Sequence, residues 1–163
     1  MAKDVKSRSE KSEKPAKSFS TEEIFGKPVL DHGFTALPNI LVRGQKRLGL
    51  NPVHFNILVQ LLSYYIDPKR PPFPTKQQLI DRLGVSKTTL QKHVRELEQR
   101  GYLLREQQKT AVGDYGSNIY HLGGLIEELK KMVPDFDAER NERAESRKRT
   151  ETPNARRMAR DFE

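Results

Sequence analysis

Thr88, Gln91, Lys92 and Arg95 stand one, three or four positions apart, the spacing that gathers side chains on one side of a helix. At about 100° per residue, Leu90, Val94 and Leu97 fall on the opposite side. One helix is thus predicted to present an apolar face inwards and a hydroxyl, amide and cationic face outwards. Glu96 and Glu98 lie towards the margins of the outer face. Such a face can do a definite kind of chemistry. Arg and Lys donate to the acceptors of guanine, Gln pairs with adenine, and cations neutralise phosphate. Ser86, Lys87 and Thr89 open the same helix, where hydroxyls and free amides can hold an anion. The bland reading of this face is a solvated surface. The absence of an acid at its centre favours contact with a polyanion.

Other chemistries find little support. His32, His54, His93 and His121 show no metal-ligand spacing and no His-Glu-x-x-His pattern, and the chain has no cysteine. No glycine-rich phosphate loop ending in Lys and Ser/Thr is present. No catalytic residue, metal or cofactor is expected, and the chain is not read as an enzyme.

Elements must position that face. Thr75 caps a helix with Gln78 three positions on, a capping-box pattern, and Leu79, Ile80 and Leu83 form its stripe. Gly84 closes it in a left-handed conformation, Val85 follows, and Ser86 caps the next helix, predicted over 87–100. Two helices joined by so short a glycine-containing turn define a helix–turn–helix. Leu79, Leu83, Val85, Leu90 and Val94 must meet at its elbow.

Upstream, Asn51-Pro52 marks a strong helix start. Phe55, Leu58, Val59, Leu62, Tyr65 and Ile66 give its predicted buried face, and Asp67-Pro68 stops it. A shorter helix, 40–48, is expected before it, capped by Asn39 and ended by Gly49. Downstream of Gly101 the period falls towards two. Strands are predicted over 102–107 and 117–122, with Asn118, Tyr120 and Leu122 on one face. The intervening Gly113-Asp114-Tyr115-Gly116 makes a turn. Lys109, Tyr115 and Asn118, near this tip, are candidate contacts to backbone phosphate or the minor groove. A last helix is predicted over 124–133, broken by Pro134.

Composition agrees with a domain between charged flanks. Of 163 residues, 34% are hydrophobic and 32% charged, too few apolar groups for a core that fills the chain. The net charge of +8 is concentrated: residues 34–133 carry +7 of it, against +1 for 1–33 and zero for 134–163. We therefore expect a disordered or loosely packed arm over 1–33, a folded domain over 34–133 and a charged tail over 134–163, disordered or a marginal solvated helix. The architecture expected is mainly α with a small β-hairpin wing. No apolar leader or membrane-length run is present, which points to a cytoplasmic, nucleoid-associated protein.

Residues 37–126 resemble the winged helix–turn–helix domains of bacterial, plasmid and phage regulators and replication-initiation proteins. Four pieces carry the resemblance: Leu83-Gly84-Val85-Ser86; Val94-Arg95-Glu96-Leu97 leading to Gly101-Tyr102-Leu103; the wing; and Ser117-Asn118-Ile119-Tyr120-His121-Leu122 leading to Leu125-Ile126. The resemblance implies binding of double-stranded DNA, the 87–100 helix in the major groove and the wing on the backbone or minor groove. Nothing resembling an effector-binding, nuclease or ATPase domain follows the wing, which favours a small regulator. Three functions remain open: a sequence-specific transcription regulator, a replication-initiation or partition factor of a plasmid, phage or other mobile element, and a protein-docking adaptor. A homodimer is plausible for paired half-sites, with the helices over 52–66 and 124–133 as candidate interfaces.

Overall fold

The structure is a computed structural model that describes residues 21–109 and 115–151, with the side chains of Lys109, Tyr115, Gly116 and Glu151 left out. The expected disorder of the first residues and the wing tip over 110–114 lie outside the described residues. The described residues 21–34 belong to a unit of their own. Its described part holds two short helices, α1 (Thr21–Phe25) and α2 (Lys27–Leu30), whose Ile24, Phe25 and Val29 are exposed.

The unit from Thr35 onwards contains α3 (Asn39–Arg43), α4 (Pro52–Tyr64), α5 (Lys76–Leu83), α6 (Lys87–Gln99), the hairpin β1 (Leu104–Lys109) and β2 (Tyr115–His121), and α7 (Gly123–Glu151). α4, α5 and α6 pack against one another, and α3 packs against α7. One core joins them, built from Leu41, Ile57, Leu58, Leu61, Leu79, Leu97, Tyr120 and Leu125 among others.

The helix boundaries follow local chemistry. Asn51 Oδ1 accepts the His54 N–H at 2.8 Å, and the Asn51 N–H points back to His54 Nδ1 at 3.4 Å, with Pro52 at the first helical position. Thr75 and Gln78 make both bonds of the expected capping box, at 3.1 and 2.8 Å. Gly84 adopts φ +64°, a conformation that a side chain would strain. Ser86 Oγ accepts the Thr89 N–H at 3.1 Å and so satisfies one of the free amides that open α6.

Four expectations need correction. α3 is a single turn, with Asn39 as its first residue and Pro38 at the cap position, and non-helical turns carry the chain on to Leu48. The buried phase of α4 is His54, Ile57, Leu58 and Leu61; Phe55, Val59 and Leu62 are only partly buried. Ile66 lies past the helix end, 89% exposed. Leu83 and Val85 do pack against the core at the elbow, partly buried. Most consequentially, α7 runs through Pro134. Proline removes one helix hydrogen bond and strains the turn behind it. The next turn is anchored: Phe136 lies under the Arg43 and Arg47 guanidinium groups, 4.9 and 5.1 Å from their centres, and both arginines pair with Glu139. These contacts with α3 and the turn after it hold a helix that the local sequence would end.

The hairpin ladder is antiparallel, with Leu104 opposite His121, Arg105 opposite Tyr120 and Gln107 opposite Asn118. Its register shifts between Gln107 and Lys109, where β2 carries an extra residue, and Lys109 pairs with Tyr115 beyond the bulge. The Tyr120 N–H donates to the Pro72 carbonyl at 2.8 Å, so the proline-rich connector between α4 and α5 is stitched to β2. Pro72 and Pro74 are fully buried by this arrangement. Helix, stitched connector, two helices and a two-stranded hairpin make up a winged helix.

α7 begins where backbone meets backbone. A methyl group on Gly124 would sit 1.8 Å from the Gly101 carbonyl oxygen and 3.0 Å from its carbon. Neither partner is a flexible side chain, so α7 or the turn after α6 must move. Gly124→Ala should therefore destabilise the domain by about 1–3 kcal/mol, read as a lower denaturation midpoint at unchanged slope.

Candidate nucleic-acid interface

α6 is fixed from its inner side. Leu90 and Val94 are 3% exposed and Leu97 is fully buried, against the partners on α4 and α5. This leaves Lys87, Thr88, Lys92, Arg95 and Gln99 exposed, with Gln91 partly so. Lys76, at the first position of α5, is exposed as well. Lys76, Lys87, Lys92 and Arg95 form no ion pair with a described residue. Several cations elsewhere are engaged: Arg43 and Arg47 with α7, Arg105 with Glu98, and Arg82 over the Tyr64 ring at 4.6 Å. Four cations unpaired among the described residues, Lys76, Lys87, Lys92 and Arg95, thus lie on and beside α6.

The predicted contact residues separate into groups. Thr88, Gln91, Lys92 and Arg95 share one surface, together with Gln99 and the edge of Glu96. Ser86 and Thr89 are at the helix start, but their hydroxyls lie 2.8 Å apart and bond each other, within the cap. Lys109 and Tyr115 close the described part of the wing; the expectation for their side chains lies outside the described residues. Asn118 is not on the outer surface. It shares the inner face of β2 with Tyr120 and is 5% exposed. Strand alternation explains this, since Tyr120 and Leu122 must face the core and Asn118 lies in phase with them.

Asn118 instead forms the floor of a polar cleft of about 360 Å³ between α6 and the hairpin, walled by Lys76, Gln91, Arg95, Glu98, Arg105 and Gln107. Its Nδ2 has no hydrogen-bond partner among the described residues. Glu98 and Arg105 pair at 3.1 Å across the cleft and brace the wing against α6. Burial raises the Tyr120 phenol above its ordinary range, and the neighbouring Asn118 amide opposes that shift. Sequence reasoning missed Lys76, Arg105 and Gln107. Pairing of Arg105 and Gln107 with the buried face of β2 was the available signal, but it needs the register.

A second group of polar side chains meets on the inner flank of α6. His54 of α4, 1% exposed, lies with its Nε2 2.7 Å from Glu96 Oε2. His93 Nδ1 is 3.0 Å from the same oxygen and 3.1 Å from His54 Nε2. Because the Asn51 N–H approaches His54 Nδ1, the imidazole proton belongs on Nε2 and donates to Glu96. Burial holds the His54 pKa below its ordinary value, against the pull of the Glu96 hydrogen bond. Partial burial pushes the Glu96 carboxyl up, but the donors of His54 and His93 together bring it below the usual carboxylate range. Among the described residues no helix is long and apolar enough to cross a membrane.

The three-helix core, the short glycine turn, the exposed second helix and the braced hairpin define a winged helix–turn–helix domain. Residues 48–103 match a sequence family described as a helix-turn-helix domain. No curated protein sequence matches the chain. Among solved structures, the chain is similar to the N-terminal domain of DnaD protein from Geobacillus kaustophilus, with 24% identity and a TM-score of 0.51 over 76% of this chain and 99% of that one. A MarR protein from Peptoclostridium difficile is also similar, with 17% identity and a TM-score of 0.40 over 94% of this chain and 90% of that one. At 24% identity the likeness to the DnaD domain is one of fold alone.

Proposed function

We propose that this protein binds double-stranded DNA in a sequence-specific manner and acts as a transcriptional regulator by occupying an operator. The observation that carries the reading is the outer face of α6. Lys87, Lys92 and Arg95 are exposed there and unpaired among the described residues, next to Thr88 and Gln91, on a helix whose other side is locked into the core. In a helix–turn–helix the second helix enters the major groove, where Arg95 and Gln91 would meet base edges. Lys87, Lys92, Thr88 and the free amides at the start of α6, within the turn that Ser86 and Thr89 cap, serve phosphates, and Lys109 and Tyr115 extend the contact along the wing. The Glu98–Arg105 pair holds the wing next to α6, and Asn118 lines the cleft beneath it. Two copies on half-sites one helical turn apart would give a palindromic target.

The test is duplex affinity as a function of salt, using targets selected from a random library. Each phosphate contact should contribute about 0.9 to the slope of log K against log salt, and Lys92→Ala should lower that slope by about one unit. Undetectable duplex binding at low salt would overturn the proposal. The genomic position of the selected site distinguishes an operator from a replication origin, since the same contacts serve both.

A further inference from the structure

We propose that His54 Nε2, His93 Nδ1 and Glu96 Oε2 form a binding site for a divalent transition metal of the zinc class, which ties α6 to α4. The three atoms come from two helices, with 39 and 42 residues separating His54 from its partners. They form a nearly equilateral triangle with edges of 2.7, 3.0 and 3.1 Å. A tetrahedral ion with bonds of roughly 2.0–2.1 Å has ligand-to-ligand edges of about 3.3 Å. An opening of a few tenths of an ångström therefore brings the three atoms to the spacing of ligands around one ion. Without metal the two ring N–H groups can both donate to the Glu96 carboxylate; on losing those protons the same three atoms converge on a cation.

The donor set selects the ion. Two imidazoles and one carboxylate suit zinc, with cobalt, nickel and copper as chemical relatives, and disfavour calcium and magnesium, which take oxygen ligands. Access is one-sided: His54 is sealed, while the side chains of His93 and Glu96 are 14% and 31% exposed. The fourth position thus opens towards solvent beside Glu96. Binding through Nε2 moves the His54 ring proton to Nδ1, which displaces the long 3.4 Å contact from the Asn51 N–H. The α4 cap survives this change, because the 2.8 Å bond from the His54 N–H to Asn51 Oδ1 does not involve the ring. Arg100, near His54, opposes a cation, and the Glu96 carboxylate offsets it.

The site has a consequence that rests on the DNA-binding reading. Glu96 is the acid bordering the Thr88, Gln91, Lys92 and Arg95 surface. A bound dication reverses the sign of charge at that border and stiffens α6, so duplex affinity should rise with metal.

The experiment uses the full chain without a polyhistidine tag, stripped with a chelator and dialysed against zinc. One zinc per chain should be retained, and the melting temperature should rise by several degrees. Cobalt substitution should give the visible absorption of a tetrahedral ion. His93→Gln and Glu96→Gln each remove one ligand without opening the core. Each should weaken zinc binding by more than the roughly 10- to 100-fold that outer-shell changes produce, and should abolish the melting shift. His32 and His121 remain in both variants as internal controls for adventitious binding. Equal zinc retention by wild type and variants, or none by wild type, overturns the site. Zinc retention is measured without DNA, so a failure of duplex binding bears on the proposed function and leaves the site standing.

Discussion

Arg95→Ala should weaken binding to the selected duplex by about 1–3 kcal/mol, roughly 5- to 150-fold, and relax base preference at one position of the target. The loss follows from what the side chain does in the free protein. Arg95 is exposed, forms no ion pair with a described residue, and projects from a helix held by Leu90, Val94 and Leu97. Its guanidinium is therefore available for a two-pronged contact to guanine at little conformational expense. The same exposure makes the variant clean, because surface changes outside special features stay within about 0.5 kcal/mol of wild-type stability. Binding to a panel of targets, each altered at one base pair, reads the outcome. A uniform loss across the panel would make Arg95 a phosphate contact, and no loss would remove it from the interface.

Leu97→Ala should destabilise the domain by about 2–5 kcal/mol, a large share of the roughly 5–15 kcal/mol that holds such a domain folded. Leu97 is fully buried on the inner face of α6, among the core residues contributed by α4, α5 and the hairpin. Truncation leaves a cavity at the point where the orientation of α6 is set. Leu104→Ala is the control: that side chain is 66% exposed on the outer face of the wing, and its loss should fall within about 0.5 kcal/mol. Denaturant unfolding of the two variants against wild type checks both. If the two changes prove equally mild, the core is not organised around α6 as described.

These two residues mark how much was legible in the chain itself. The helix starts at Pro52, Lys76 and Lys87 were readable because capping is local chemistry: Asn51, Thr75 and Ser86 act on amides only three residues away. The left-handed turn at Gly84 and the two faces of α6 were readable for the same reason, since 3.6-residue periodicity needs no knowledge of partners. The outer surface of Thr88, Gln91, Lys92 and Arg95 was therefore in hand before any tertiary contact was known.

What depends on distant partners was not legible. Pro134 ends a helix by local rules, yet α7 continues because Phe136 and Glu139 meet Arg43 and Arg47 some ninety residues earlier in the chain. Asn118 reads as a hairpin contact until the register puts it with Tyr120 on the buried face. His54 and His93 carry no ligand spacing, because the spacing that matters is across the gap between α4 and α6. The sequence by itself determined where the helices start and turn and which side of α6 faces outwards, since those are set by hydrogen bonds and periodicity within a few residues. Only the tertiary structure decided how far α7 extends, what the wing presents, and that two histidines and a glutamate converge, since those depend on contacts that long-range packing alone creates.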